Sequence, residues 1–254
     1  MIEVPTENKA IIEAARLIDQ SNLAVFFTGA GISTPSGIPD FRGTDGMWNQ
    51  DEPMKVASLS AFQNHPDRFF AWFHKLVKAS YHSKPNAAHY ALAKLEQLGK
   101  SMGVITQNID GLHSEAGSRN VIELHGSIRT AHCIRNNHKV PGDDYLPQFI
   151  SSGKIPLCPH CLSVLKPDFV LYEELLPQDI WKSADILSEK CDLMIVVGSS
   201  LEVVPASSIP YRSAQNTAKL MIINMSDTHL DGFADLIIRD DVSKVLPKIV
   251  ECIK

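Results

Sequence analysis

Apolar residues recur along this chain in two alternating rhythms. Between residues 8 and 20, Ile11, Ile12, Ala15, Leu17 and Ile18 fall near helical spacing and predict a helix. The next run, Leu23 to Phe27, is continuously apolar and ends in glycines, as expected of a buried strand feeding a tight turn. Helices are expected over 66–80 and 86–99, the second with Asn86 as its N-cap. Further apolar strands read at 102–108, 120–126, 191–200 and 219–225, with helices at 178–190, 205–216 and 241–253. Strands that alternate with helices and are apolar on both faces predict an α/β fold, a parallel sheet with helices on both faces. Such sheets bind ligands beyond the C-terminal ends of their strands. The polar clusters Thr28–Gly31, Gln107–Asp110, His125, Gly198–Ser200 and Asn224 all fall at such ends, which predicts one site.

Residues 130–170 break the rhythm, with little regular apolar period and three cysteines. They read as a small inserted module, too short for a core of its own and in need of a metal or disulfide staple. The five cysteines are Cys133, Cys158, Cys161, Cys191 and Cys252, an odd number that argues against a disulfide framework. The 254-residue chain carries 24 Lys+Arg against 29 Asp+Glu, a formal charge of −5. That balance gives no grip on a phosphate backbone and argues against direct nucleic-acid binding. With 44% hydrophobic and 21% charged residues the chain has an ordinary globular composition. The apolar run Leu193 to Val197 is far short of the roughly 18 residues a membrane span needs. The opening MIEVPTENKA lacks a basic start followed by an apolar run, so a cytoplasmic protein without membrane contact is expected.

The segment TGAGISTPSGIPDFRG, residues 28–43, follows the first strand. Gly29 and Gly31 permit a tight turn and close backbone approach to a pyrophosphate, but the third glycine of the dinucleotide fingerprint is missing. On the two glycines alone an ordinary strand-to-helix turn is as good a reading. The run Ser36 to Arg42 combines turn formers, a carboxylate, an aromatic ring and a guanidinium, and reads as a functional loop. This block resembles the signature of the sirtuins, the NAD-dependent protein-lysine deacylases. The resemblance continues, in order, through TQNIDGLH (106–113), LHGS (124–127), the cysteine-bearing module, GSSLEVVPA (198–206) and IIN (222–224). It spans about residues 10 to 253.

The resemblance implies a single catalytic domain with a Rossmann-like part over about 8–58, 100–129 and 171–253, a zinc-ribbon-like module over about 130–170 and a helical part over about 59–99. It implies NAD and acyl-lysine proteins or peptides as ligands. Gly29, Ala30, Gly31, Ser33, Asp40, Phe41 and Arg42 would hold the pyrophosphate and cover the nicotinamide side. Gln107 would contact the nicotinamide ribose, Asn108 and Asp110 would position water and the carboxamide, and Ile109 would line the nicotinamide pocket. Gly198, Ser199 and Ser200 would bind phosphate and ribose, Asn224 the adenosine ribose, and Asp241 and Val242 the adenine edge. Val170 would offer backbone contacts to the acyl-lysine. In the implied reaction the amide oxygen attacks the ribose and nicotinamide leaves. His125 then takes a proton from a ribose hydroxyl as general base, a role its ordinary pKa near 6.5 suits.

Three features depart from the pattern. The module normally carries two Cys-x-x-Cys pairs that hold zinc; Cys158 and Cys161 form one, but Asn136 stands where the partner of Cys133 belongs. His138 would complete a Cys₃His set; loss of the zinc is the competing reading, and His132 and His160 are the less natural ligands. Relatives that remove acidic acyl groups carry a Tyr-x-x-Arg pair, matched here by Phe73 and Leu76, so neutral acyl groups are expected over succinyl. Glu173 occupies a usual glycine position beside Tyr172, which predicts a reshaped substrate strand. Protein ADP-ribosyltransfer or NAD glycohydrolysis on the same fold is the alternative activity. An idle NAD sensor is disfavoured by the intact His125, Asn108 and Asp110, and a dehydrogenase by the lack of an acidic residue after a second strand.

Overall fold

A computed structural model describes residues 7–43 and 46–253; residues 1–6, on which part of the reading of the opening segment rests, lie outside it. Six parallel strands form the main sheet: β1 (Ala24–Thr28), β2 (Gly103–Thr106), β3 (Val121–Glu123), β7 (Leu193–Val197), β8 (Lys219–Ile223) and β9 (Leu236–Ile238). Their order, β3-β2-β1-β7-β8-β9, reverses direction between β1 and β7. That is the doubly wound dinucleotide-binding order, with its crevice at the β1/β7 switch.

Side-chain alternation along these strands builds two cores. Ala24 and Phe26, Leu193, Ile195 and Val197, and Met221 and Ile223 face α1 (Glu7–Gln20), α5 (Ala87–Gln97) and α10 (Val242–Cys252). Val25 and Phe27, Met194 and Val196, and Leu220 and Ile222 face α8 (Gln178–Lys190) and α9 (Ser208–Gln215). Strands buried on both faces have no polar side to show, which is why the sequence shows apolar runs here. Asn86 caps α5 as expected: its Oδ1 accepts from the Ala88 amide at 2.9 Å and its own amide donates to His89 Nδ1 at 3.3 Å.

A second lobe covers one end of the sheet. It holds α2 (Pro53–Val56), α3 (Leu59–Asn64), α4 (Pro66–Ser80), the short α6 (Leu112–Glu115) nearby, and an antiparallel sheet β5-β4-β6. That sheet comprises β4 (Gly126–Cys133), β5 (Lys139–Pro141) and β6 (Leu165–Phe169), with α7 (Gly142–Ser152) inserted after β5. The strand expected over 120–126 ends at Glu123, because Leu124 and His125 leave the main sheet and Gly126 opens β4 in the second one. The module borrows its core from the neighbouring helices. Phe149, Leu165, Cys133 and Cys158 pack with Phe69, Phe70 and Phe73 of α4 into one buried cluster. The helices read together as 59–99 accordingly divide: α3 and α4 join this cluster, whereas α5 packs on the main sheet.

Candidate active site

The two lobes enclose a cavity of about 900 Å³ at the C-terminal ends of β1, β2 and β7. Its floor is a crossing of glycines. The Gly31 amide donates to the Gly198 carbonyl at 2.8 Å, and a Cβ on Gly31 would lie 2.8 Å from that same oxygen. Gly198 itself has φ +58, the left-handed region that favours glycine. The third glycine missing from the local fingerprint is thus supplied by the end of β7. Gly29, Ala30, Gly31, Gly198, Ser199 and Ser200 all line the floor, and the amides of Ala30, Ser199 and Ser200, without a partner among the described residues, stand open to a pyrophosphate.

Ser33 organises the next layer. Its buried hydroxyl donates to Asp110 Oδ2 at 2.7 Å and accepts from Asn108 Nδ2 at 3.1 Å. Burial pushes the Asp110 carboxyl up, opposed by the Leu112 amide and by Ser33. Gln107 Nε2 donates to Ser199 Oγ at 2.9 Å, linking the β2 and β7 ends. The Gln107 carbonyl accepts from His125 Nδ1 at 2.9 Å. A carbonyl can only accept, so Nδ1 carries the proton and Nε2 of the neutral ring keeps its lone pair. Burial pushes the His125 imidazole below its ordinary value, with the Gln107 carbonyl opposing. The ring is therefore neutral at pH 7 and fitted to accept a proton.

The loop 40–43 roofs the cavity. Asp40 Oδ1 closes its turn by accepting from the Gly43 amide at 2.8 Å, and Phe41 stacks on Trp48 at 5.1 Å between ring centroids. Arg42 Nε pairs with Glu202 at 3.0 Å, and its Nη2 reaches the Tyr172 hydroxyl at 3.4 Å. Ile109 lines the same space. At the far end Asn224, Asp241 and Val242 line the cavity; the Asp241 side chain caps α10 by accepting from the Ser243 amide at 2.9 Å. Its carboxylate is committed to the helix. Val170 lines the opposite wall, and its amide donates to the His125 carbonyl at 2.8 Å. Every cofactor and substrate residue expected from the sequence therefore borders one cavity.

Local spacing did not reveal an apolar lobe lined by Trp48, Trp72, Leu76, Ile128 and Phe169. The signal was present in α4, where Trp72, Leu76 and Ser80 recur every four residues and share one face. Of the pair matched to Tyr-x-x-Arg, Leu76 lines the lobe, while Phe73 is buried in the aromatic cluster against Phe69 and Phe149. The reshaping expected at Glu173 does not occur: the residue takes φ +74, the left-handed backbone a glycine would adopt there. A side chain there costs about 1–2 kcal/mol. Its carboxylate offsets this by accepting from the Ser60 amide at 2.8 Å and the Ser60 hydroxyl at 2.6 Å, near the start of α3.

In the module Cys133, His138, Cys158 and Cys161 bring four ligand atoms within 4.8 Å of one another. Cys133 Sγ lies 3.6 Å from Cys161 Sγ and 3.7 Å from His138 Nδ1, which lies 3.4 Å from Cys158 Sγ. Tetrahedral zinc with bonds of about 2.3 Å to sulfur and about 2.0 Å to nitrogen has ligand–ligand edges of about 3.5–3.8 Å. The set fits a structural zinc, with His138 as its fourth member. Asn137, at φ +54, turns the chain back so that His138 reaches the cluster, and asparagine tolerates that conformation. His132 is engaged elsewhere, with Asp168 at 2.6 Å, and His160 packs edge-on against His138.

Comparison with known proteins agrees with this geometry. The Sir2 family model matches residues 29–205. The NAD-dependent protein deacetylase 1 of Pyrobaculum aerophilum is 46% identical over 239 residues, covering 94% of this chain and 93% of that protein. A solved structure of a Sir2 variant with a deacetylated p53 peptide and 3′-O-acetyl-ADP-ribose superposes with a TM-score of 0.90 at 41% identity, covering 95% of this chain and 98% of that one. Another, a Sir2 protein bound to a myristoylated histone peptide, gives a TM-score of 0.84 at 39% identity, covering 96% of each chain. Glycine crossing, half-buried histidine and Cys/His cluster thus occur together in a chain that belongs to the Sir2 family.

Proposed function

We propose that this chain is an NAD-dependent protein-lysine deacylase, transferring the acyl group to ADP-ribose with release of nicotinamide. One observation carries the reading. His125 keeps an unprotonated Nε2 in a cavity bordered both by the glycine crossing and by Val170, so base, dinucleotide floor and peptide wall meet. In this reading Gly29, Ala30, Gly31, Ser33, Gly198, Ser199 and Ser200 hold phosphate and ribose, while Asp40, Phe41 and Arg42 cover the nicotinamide side. Asn108 and Asp110, fixed through Ser33, position water and the carboxamide beside Ile109; Gln107 holds the nicotinamide ribose. Asn224 meets the adenosine ribose, and Asp241 and Val242 border the adenine through their backbone. His125 takes the ribose hydroxyl proton once nicotinamide has left.

The acyl group enters the apolar lobe. Trp72, Leu76 and Ser80 mark a wall of α4 spanning eight residues, about 12 Å. That length suits aliphatic chains well beyond acetyl, in keeping with the myristoylated peptide held by one structural neighbour. Arg42 is the one Arg or Lys among the described residues lining the cavity, and it answers Glu202, so a buried succinyl carboxylate would lack a counter-charge. A cytoplasmic location belongs to the same reading. It is supported by five unpaired cysteines and by the lack, among the described residues, of a helix long and apolar enough to cross a membrane.

Incubation with NAD and acyl-lysine peptides tests the proposal. Nicotinamide release that depends on the acyl peptide, with acyl-ADP-ribose as product, is expected. Peptide-independent release would mean a glycohydrolase, and ADP-ribosylated protein a transferase. His125→Ala is expected to lose about 10²–10⁴-fold in rate while retaining NAD binding.

A further inference from the structure

Two segments wall the mouth of the cavity: Val170–Glu173, after β6, and the turn Glu202–Pro205, after β7. The carbonyl of Val170 and the amides of Glu202 and Val203 have no partner among the described residues. An open carbonyl on one wall and two open amides on the other suit a peptide laid between them, held by its main chain. Three carboxylates stand along these walls. Glu202 is answered by Arg42 at 3.0 Å and Glu174 by Lys166 at 3.0 Å. Glu173 is different: its partners are the amide and hydroxyl of Ser60, which fix the carboxylate without neutralising it.

The position of that carboxylate is unusual. At φ +74 the backbone would accept glycine without strain, yet the chain carries a charged side chain there and anchors it with two hydrogen bonds. The parallel bridge between Ser58 and Tyr172 ties the same segment to the start of α3, so the charge is held on a fixed wall. The result is an exposed, oriented and uncompensated negative charge beside the path of a bound peptide. We infer that Glu173 selects the sequence around the acylated lysine, favouring substrates with arginine or lysine beside it over those with glutamate or aspartate. This rests on the deacylase reading and names the substrate class of that site. A partner cation forms an exposed pair with Glu173, weaker in salt, and an acidic neighbour meets repulsion.

Three acetyl-lysine peptides test this, identical except for two arginines, two glutamines or two glutamates flanking the modified lysine. With NAD and the wild-type enzyme, kcat/KM for the arginine peptide is expected to exceed that for the glutamate peptide by about fivefold at low ionic strength, and the ratio to shrink in salt. Glu173→Gln, which keeps the side chain's shape and its hydrogen bonds to Ser60, is expected to bring the ratio close to one. Glu173→Gly, which suits the backbone, is expected to do the same and guards against a folding defect in the first variant. A ratio unchanged in both variants, or a wild-type preference for glutamate, overturns the inference. Calorimetric binding of the same peptides reads the charge preference without turnover. A charge-selective enzyme that releases no acyl group would therefore sink the deacylase reading while sparing the selectivity, and turnover without selectivity the reverse.

Discussion

Replacing His138 by alanine tests the metal site directly. Three of the six ligand–ligand distances, 3.4, 3.6 and 3.7 Å, lie within a few tenths of an ångström of a zinc tetrahedron, and all six lie within 4.8 Å, so the site closes on zinc by small side-chain shifts. Structural zinc in small sites contributes about 10–16 kcal/mol of binding free energy. An equal share for one of four ligands is about 3 kcal/mol, or roughly a hundredfold in Kd. His138→Ala is therefore expected to hold zinc about two orders of magnitude more weakly, water taking the fourth place, and to yield it to a chelator that leaves the wild type loaded. His138→Cys restores a four-ligand set and should retain the metal. So should Asn136→Cys combined with His138→Ala, because Asn136 stands at the usual ligand spacing and its amide already donates to Cys133 Sγ at 3.2 Å. Cys133 and Cys158 also belong to the aromatic cluster of α4 and α7, so metal loss should loosen the loops around the ligands and lower Tm without abolishing helix content. Zinc per chain after dialysis, chelator competition and thermal unfolding by circular dichroism give the readouts. A zinc-free wild type, or an alanine variant equally resistant to chelation, would refute the reasoning.

Other consequences follow from the same geometry. Gly31→Ala places a Cβ 2.8 Å from the Gly198 carbonyl oxygen and 2.9 Å from its Cα, both backbone, so a loss of about 1–3 kcal/mol in stability together with NAD binding is expected from urea titration and calorimetry. Ser80→Phe fills the end of the apolar lobe; the decanoyl-to-acetyl ratio of kcat/KM should fall at least tenfold, and an unchanged ratio would show that the chain runs elsewhere. Burial lowers His89 to about 4 and His113 to about 3, whereas unfolded histidine titrates near 6.5. Below that pH the unfolded chain binds protons the folded chain refuses, and stability falls by about 2 kcal/mol per histidine at pH 5. Glu123 acts oppositely: burial raises its carboxyl from 4.5 to about 7, so the folded chain takes that proton first and gains stability as pH drops from 7. Glu123→Gln should consequently steepen acid destabilisation between pH 7 and pH 5 in urea unfolding, and an unaltered slope would refute the assignment.

The centre of the main sheet was legible because β1, β2 and β7 are buried on both faces. Runs such as Leu193–Val197 have no competing reading at that length, and the residues after them are polar because the site needs them. The second lobe was not legible for the opposite reason. Its strand β4 is half-exposed, β5 is three residues long, and α7 carries Pro147 inside the helix. Their order comes from packing against α4 and from the Cys/His cluster, neither of which leaves a local period. The strand Leu236–Ile238 is not legible in the sequence because three apolar residues at a sheet edge give no pattern to count.

The glycine fingerprint shows how the remaining gap closes once register is known. Within one strand and its turn, Gly29 and Gly31 make an incomplete fingerprint. Parallel pairing sets Thr28 opposite Val197, so the residues that follow, Gly29 and Gly198, are brought side by side whatever the chain does between them. Two turns then leave adjacent strands at the same level, and neither has room for a Cβ toward the other. A third glycine is therefore demanded at the end of β7, and a larger residue there would force the turns apart. The Gly31 amide would lose its acceptor, and the Gln107–Ser199 bond that joins β2 to β7 would stretch. His125 is hung from the Gln107 carbonyl, so the position of its imidazole depends on a glycine three strands away. Spacing rules confined to one turn cannot express that dependence, whereas a strand order and one register pair do.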